Sequence, residues 1–220
     1  MTFRDRKDAG QKLAAQLLRF SKNPNVVVLG LPRGGVPVAA EVARALSAPL
    51  DVFVVRKLGV PQQEELAFGA IASGGVRVLD AEIIEQLAIP DAVLDAVVER
   101  EMIELERREL AYRRGMPAAD VKNRIVILAD DGIATGSSMR AAVEALRKLG
   151  PERIVVAVPV ASPHVVRQLS KVADELVCLS APEDFRAVGQ WYAEFQSTTD
   201  DEVTGALESA ASRTAATHAS

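Results

Sequence analysis

Short runs of apolar residues without alternation recur along this chain, and between them apolar residues return every three or four positions. Unbroken apolar runs are typical of strands covered on both faces, and the longer spacing is typical of helices with one buried side. Strands are therefore predicted at residues 26–29, 52–55, 125–128, 154–158 and 176–179, and helices at about 8–20, 36–46, 137–149 and 163–170. Because the two kinds of element alternate, we predict an α/β fold with a five-stranded parallel sheet flanked by helices.

One segment departs from this alternation between residues 56 and 75. It contains glycines and few apolar runs. A connection of this length is more often a functional active-site lid than a simple connection between two elements. We therefore predict a flexible lid loop that closes over a ligand with residues 58–70. Glu64 or Glu65 could act as a group on this lid, and an ordinary exposed loop acid is an equal alternative.

A second departure is a helical insertion at about residues 81–114. Two pairs within it, Glu104 with Arg108 and Glu109 with Arg113, have the i,i+4 order of ion pairs on a solvated helix face. The insertion could form a hood over the site or a contact between the subunits of a homodimer. The apolar residues that would supply its packing side are Val93, Val97 and Leu105.

The length of 220 residues suits one α/β domain, which we place at residues 1–202. Residues 203–220 are rich in Ala, Ser and Thr, so they are predicted to be a flexible tail. A net charge of −4 and a pI near 5.4 argue against a nucleic-acid surface. No segment has the apolar length of a membrane span, and the single Cys178 lies in an apolar run, which favours a buried thiol. We expect a cytoplasmic protein that binds neither nucleic acid nor membrane.

The stretch from Val126 to Ser138 gives the strongest chemical signal. An apolar strand ends in two adjacent acids, Asp130 and Asp131, and a turn of small residues then opens a helix. Carboxylates at the end of a parallel strand can accept hydrogen bonds from ribose hydroxyls, and such a turn directs backbone N–H groups at a phosphate. The pattern indicates a site for a phosphorylated sugar; the alternative is a helix cap preceded by two ordinary turn acids. The turn residues are Ala134, Thr135, Gly136, Ser137 and Ser138.

A second turn follows the first predicted strand. Its two adjacent glycines, Gly34 and Gly35, let backbone amides approach an anion closely, and Arg33 can bind phosphate with its planar guanidinium. Arg56 and Lys57 follow the second predicted strand, whose carboxyl end faces the same side of a parallel sheet. These residues suit a pyrophosphate; the alternative is a tight turn with exposed surface cations.

Residues 130–138 resemble the ribose-phosphate signature of the type I phosphoribosyltransferases, which bind phosphoribosyl pyrophosphate. The resemblance implies that Asp130 and Asp131 position the ribose, with Mg²⁺ on the pyrophosphate and ribose oxygens beside them. It also implies that the turn at Arg33 binds the leaving pyrophosphate, often with a strained peptide. Similarity to a bacterial subgroup of predicted phosphoribosyltransferases, whose substrate is unsettled, extends over residues 3–10, 55–61, 65–70 and 185–192.

Four of the nine aromatic residues lie in the segment 182–195, after the last predicted strand. Aromatic faces suit a planar base, and the segment is loosely similar to one in hypoxanthine-guanine phosphoribosyltransferases in which an aromatic side chain stacks on the purine. Phe185 is the nearest match, and Trp191 would lie beside the base. Equally, Trp191, Tyr192 and Phe195 could pin the C-terminal segment to the core.

Two departures leave the identity of the base open. Ala161 and Ala134 stand where the purine enzymes have a base-reading lysine and an acid that helps to protonate the base. The sequence therefore predicts an Mg²⁺-dependent transfer of ribose 5-phosphate from phosphoribosyl pyrophosphate to a nitrogenous base, in which Arg33 and Lys57 stabilise charge on the leaving pyrophosphate. The alternatives are a regulator that binds phosphoribosyl pyrophosphate without turnover and a hydrolase that acts on a related phosphosugar.

Overall fold

The computed structural model describes residues 1–61 and 63–218, without the side chains of residues 64, 65 and 214–218. The two candidate lid acids, Glu64 and Glu65, are therefore outside the described side chains. Eight strands are formed within the described residues: β1 (Val26–Gly30), β2 (Leu50–Val52), β3 (Val55–Val60), β4 (Gln63–Ala72), β5 (Val76–Leu79), β6 (Ile125–Ala129), β7 (Arg153–Val160) and β8 (Glu175–Ser180).

The predicted five-stranded parallel sheet is confirmed. Its spatial order is β2-β1-β6-β7-β8, and all its pairings are parallel, so the carboxyl ends of the strands share one edge. Every residue of β1 is buried, as expected for a strand covered on both faces. The helices are α1 (Arg6–Leu17), α2 (Gly35–Leu46), α3 (Ala81–Gln86), α4 (Asp91–Arg113), α5 (Ser137–Lys148), α6 (Pro163–Leu169) and α7 (Asp200–His218), with 3-10 turns at Leu18–Phe20 and Val188–Trp191.

Two hydrophobic cores cover the faces of the parallel sheet. On one face, α1 and α2 pack through residues such as Leu13 and Val42 against Val28 and Ile127. On the other face, α5 and α6 pack against the alternate residues of the same strands. Because successive residues of a strand point to opposite faces, each central strand contributes to both cores.

The predicted strand at residues 52–55 is divided between two sheets, which corrects that prediction. β2 ends at Val52, and β3 begins at Val55 and pairs antiparallel with β4, which pairs in turn with β5. The segment predicted as a lid loop is thus mostly strand. The sequence did not show this because the buried residues Leu58, Phe68 and Ile71 stand apart among small and polar residues. Closure of the segment over a ligand stays a prediction.

The helical insertion is present as α3 and α4. Val97 and Leu105 are buried as predicted, and the ion pairs of Glu104 with Arg108 and Glu109 with Arg113 are formed. The expectation of a merely solvated charged face is wrong for Arg113, because this side chain is buried and donates to Asp51 of β2 at 2.9 Å. Its partner comes from a strand 62 residues away, which helix spacing alone could not indicate.

The prediction of a flexible tail from residue 203 is wrong for the residues that the structure describes. They continue helix α7, and Val203, Leu207 and Ala210 are buried. These positions have the spacing of one helix face, which contacts α2 and α4. Residues 219–220 lie outside the description. Within the described ranges, no helix combines the length and apolar character needed to cross a bilayer.

Candidate active site

The two glycine- and acid-containing motifs lie side by side at the carboxyl edge of the parallel sheet. Gly30 at the end of β1 pairs with Ala129 at the end of β6, so the turns that follow these strands meet. A Cβ on Gly34 would lie 2.1 Å from Oδ2 of Asp131, and one on Gly35 would lie 2.8 Å from Cα of Asp130. Only glycine fits such a close approach. The structure therefore brings Gly34, Gly35, Asp130 and Asp131 together.

Asp130 and Asp131 are buried next to each other, which makes their ionised forms unfavourable. Oδ1 of Asp130 accepts a hydrogen bond from the backbone N–H of Asp131 at 2.8 Å. Burial, together with the adjacent carboxylate of Asp131, raises the pKa of Asp130 well above its ordinary value. Burial also raises the pKa of Asp131, and the ion pair with Arg6 partly offsets this. The site therefore favours an added positive charge beside Asp130.

Arg6 and Tyr192 are the residues at this site that sequence reasoning missed. Nε of Arg6 donates to Oδ2 of Asp131 at 2.7 Å, and the hydroxyl of Tyr192 donates to the Asp131 carbonyl at 2.5 Å. Burial raises the pKa of Tyr192, so its hydroxyl remains a donor. No local signal could have revealed these contacts, because they span 125 and 61 residues of sequence.

The predicted phosphate-binding turn, residues 134–138, lies beyond the acids at the start of α5. Gly136 has a φ of 80°, a left-handed conformation that favours glycine, and it caps the helix. Oγ1 of Thr135 and Oγ of Ser137 lie 3.4 Å apart. The turn borders a cavity of about 420 Å³, whose other lining residues are Arg140, Ser162, His164, Val165, Gln168 and Leu169. Helix-start amides and hydroxyls facing an open cavity suit a phosphate group.

The predicted cations have different environments. Arg33 is half-exposed, follows a cis Pro32–Arg33 peptide bond, and places Nη1 3.8 Å from Oδ1 of Asp200 in α7. The hydroxyl of Tyr112 donates to the same oxygen at 3.1 Å. Lys57 is exposed on β3, so its role stays a prediction.

Arg56 is engaged elsewhere. Its Nε and Nη2 donate to Oε2 of the buried Glu101 on α4, at 2.9 and 2.5 Å. A buried carboxylate left without this cation would be strongly disfavoured. Arg56 thus joins β3 to α4, and its binding of substrate stays a prediction.

The aromatic segment after β8 packs against the N-terminus. The rings of Tyr192 and Phe3 lie 5.5 Å apart, and Phe195 stacks on Tyr192 at 5.0 Å. These contacts support the pinning alternative for Tyr192 and Phe195. Phe185 and Trp191 are half-buried against the same cluster, and their contact with a base stays a prediction.

The acid pair offers fewer protein oxygens than the coordination shell of Mg²⁺ requires, so substrate oxygens and water would have to complete it. The described residues contain no group of three or more His, Cys, Asp or Glu that could hold a metal ion. Arg6 already occupies Oδ2 of Asp131, so Asp130 is the carboxylate better placed to meet a cation. Mg²⁺ is commonly held by one or two carboxylates together with phosphate oxygens and water. The acid pair fits that arrangement.

Comparison with known proteins agrees with the fold. The family model of the phosphoribosyl transferase domain matches residues 3–196. The chain therefore belongs to the phosphoribosyltransferase family.

The chain is similar to known proteins in sequence and in structure. The chain is 50% identical over 208 residues to the Mycobacterium tuberculosis protein Rv0571c, which is itself named a phosphoribosyl transferase only provisionally; the match covers 94% of this chain and 47% of Rv0571c. The chain thus spans about half the length of this curated relative. It is 30% identical to the bifunctional protein PyrR of Deinococcus radiodurans, over 65% of this chain and 79% of PyrR. The crystal structure of TT1426 from Thermus thermophilus is 47% identical, with a TM-score of 0.83 over 94% of this chain and 98% of TT1426.

Proposed function

We propose that the chain transfers ribose 5-phosphate from phosphoribosyl pyrophosphate to a nitrogenous base and releases pyrophosphate. The observation that supports this is the contact between the glycine turn and the acid pair, with the phosphate-binding turn just beyond them. The donor has three oxygen-rich parts, which are a pyrophosphate, a ribose diol and a 5-phosphate. Each part has a chemically matched group along one edge of the sheet.

The proposed roles follow from this order. The turn at residues 134–138 binds the 5-phosphate with amides and hydroxyls. Asp130 accepts hydrogen bonds from the ribose hydroxyls and offsets positive charge that develops on the ribose as the bond to pyrophosphate breaks. The amides of Gly34 and Gly35 bind the pyrophosphate. Arg33 and Lys57 stabilise the negative charge that grows on it, and such fixed charges act most strongly in the transition state.

Mg²⁺ is proposed as the cofactor. When bound, it would supply positive charge that neutralises the pyrophosphate and ribose oxygens, and Asp130 and Asp131 are the residues that would hold it. Homodimer formation and a cytoplasmic location stay predictions.

Binding without turnover is a second candidate. Arg33 lies beside Asp200, and Arg56 is paired with Glu101. Two of the three cations that were expected at the pyrophosphate therefore already face an acid in the protein. A protein that senses phosphoribosyl pyrophosphate could use the exchange of these pairs as its response.

One experiment separates the candidates. Phosphoribosyl pyrophosphate and Mg²⁺ are incubated with the protein and a panel of purine and pyrimidine bases, and release of pyrophosphate is measured. Binding of phosphoribosyl pyrophosphate is measured in parallel by calorimetry. We expect release that depends on one class of base. Binding without release would favour the sensor, and release of pyrophosphate or phosphate without any base would favour the hydrolase. Absence of binding would refute the proposed function.

A further inference from the structure

Arg6 lies against the acid pair and has no role in the proposed function so far. It is the first residue of α1, and the side chains of Arg6 and Asp131 are each only 13% exposed. Solvent and salt weaken such a pair far less than an ion pair on the surface. The contact at 2.7 Å therefore fixes both side chains.

Two further groups hold the guanidinium of Arg6, and Gly34 leaves room for it. Nη1 donates to the carbonyl of Gln196 at 2.5 Å, and the guanidinium carbon lies 4.1 Å from the centroid of the Phe195 ring. Nε is 3.3 Å from the position that a Cβ would take on Gly34. The planar group therefore has one orientation, which the point charge of a lysine would not reproduce.

The position of this ion pair matters more than its contribution to stability. A buried ion pair is weak evidence for stability, because desolvation offsets much of the attraction. Here Oδ2 of Asp131, the atom that Arg6 binds, is also the atom against which Gly34 packs. The backbone N–H of Asp131 in turn binds the carboxylate of Asp130. Gly34 limits how far the side chain of Asp131 can move, whereas a shift of the Asp131 backbone N–H would displace the carboxylate of Asp130.

We propose, on the basis of the proposed function, that Arg6 is a positioning residue for the ribose. It holds Asp131, and through Asp131 it fixes the carboxylate of Asp130 that receives the ribose hydroxyls. The two acids then have different tasks: Asp130 faces the sugar, and Asp131 joins the sugar site to the N-terminal helix. Ligands that contain a ribose diol depend on Arg6, and ligands without one do not.

The test compares Arg6→Gln with Lys7→Gln, which removes the same charge from the next residue of α1, where the side chain is exposed. Calorimetry measures the affinity for ribose 5-phosphate, which contains the diol, and for inorganic pyrophosphate, which lacks it. We expect Arg6→Gln to weaken ribose 5-phosphate binding about 10- to 100-fold, as loss of a charge-assisted contact does. Pyrophosphate binding should change by no more than about twofold, and Lys7→Gln should change neither, as is usual for exposed charges.

The outcomes are distinguishable. Equal losses for both ligands would show a general distortion of the site and would overturn the inference, as would unchanged affinity for ribose 5-phosphate. If the wild-type protein binds neither ribose 5-phosphate nor phosphoribosyl pyrophosphate, the proposed function itself fails. If Arg6→Gln does not fold, Arg6→Lys tests the inference instead. It keeps the charge but not the planar geometry, so we expect a smaller loss of affinity that is confined to ribose 5-phosphate.

Discussion

The candidate site has an inner half and an outer half that are built differently. The inner half consists of Gly34, Gly35, Asp130 and Asp131, where backbone and carboxylates are in contact and Arg6 and Tyr192 hold them from behind. The outer half consists of the turn at residues 134–138 together with Arg33 and Lys57, which lie toward solvent. The inner half has its geometry before a ligand arrives, and the outer half can adapt to one.

This difference predicts which substitutions affect stability as well as ligand binding and which affect ligand binding alone. A change at Gly34, Gly35 or Asp131 in the inner half disturbs packing and ligand binding together, because the same atoms serve both. A change in the outer half should affect the ligand alone, because few protein contacts depend on it. Stability measured beside activity therefore tests whether the two halves are distinct.

The largest effect is expected for Arg33→Ala and Lys57→Ala. Loss of a charge that stabilises the leaving group should lower kcat by about 10²- to 10³-fold, with a smaller change in affinity for phosphoribosyl pyrophosphate. The melting temperature should stay within the range of a control, Lys171→Ala, at another exposed lysine. Steady-state kinetics and thermal unfolding give both values. Equal losses in kcat and affinity would instead identify the two residues as simple anchors and would favour binding without turnover.

The next effect concerns the packing of the inner half. In Gly35→Ala the new Cβ would lie 2.7 Å from the Ala129 carbonyl, so we expect a loss of about 1–3 kcal/mol in the free energy of unfolding. Displacement of the neighbouring acids should also lower kcat/KM by about 10²-fold.

Gly205→Ala is the matched control for this change. Apart from its neighbours in the helix, no atom lies within 4 Å of a Cβ built on Gly205 in α7, and alanine is the better helix former by roughly 0.5–1 kcal/mol. It should therefore stabilise the protein and leave activity unchanged. Denaturant unfolding of the two variants checks both values, and a Gly35→Ala variant of full stability and activity would contradict the close contact.

The residues of both halves could be predicted from the sequence, but the contacts that hold the inner half could not. The turn at residues 134–138 has local chemistry, since its glycine and hydroxyls are consecutive and the helix begins at once. The parallel sheet was predictable for the same reason, because unbroken apolar runs such as Val26–Gly30 are themselves the signal. The environment of Asp131 was not, because Arg6 and Tyr192 are distant in sequence.

Partners that are distant in sequence also limited the prediction for charged side chains and for helix α7. The sequence predicts pyrophosphate binding by Arg56 and Arg33 but could not indicate that Arg56 also binds Glu101 or that Arg33 lies near Asp200. The small and polar composition of helix α7 predicts a tail, although the spacing of Val203 and Leu207 places them on one buried face. In each case a tertiary partner determined the outcome.

A third comparison separates the two acids. Asp130→Asn should weaken binding of phosphoribosyl pyrophosphate by roughly 1.5–3 kcal/mol, the value of a hydrogen bond to a charged group. It should not destabilise the fold, because burial already disfavours the ionised form of Asp130 and raises its pKa. Asp131→Asn leaves Arg6 without its carboxylate, so a loss of about 1–3 kcal/mol in the free energy of unfolding is expected. Identical stability and affinity for the two variants would argue against separate tasks.

The smallest effect is expected at Asp200, which lies beyond the family-matched residues 3–196. Its carboxylate and a bound pyrophosphate would compete for Arg33, and the contact is a half-exposed one at 3.8 Å. Asp200→Asn should therefore strengthen pyrophosphate binding by only about 1.5- to 5-fold, the usual range for an exposed ion pair. Asp201→Asn removes the same charge from the same turn of α7, so calorimetry on this variant measures the general electrostatic effect. An equal gain in both variants would mean that the net charge of the helix start is responsible. Weaker binding in Asp200→Asn alone would mean that Asp200, held by Tyr112, orients Arg33 toward the pyrophosphate instead of competing for it.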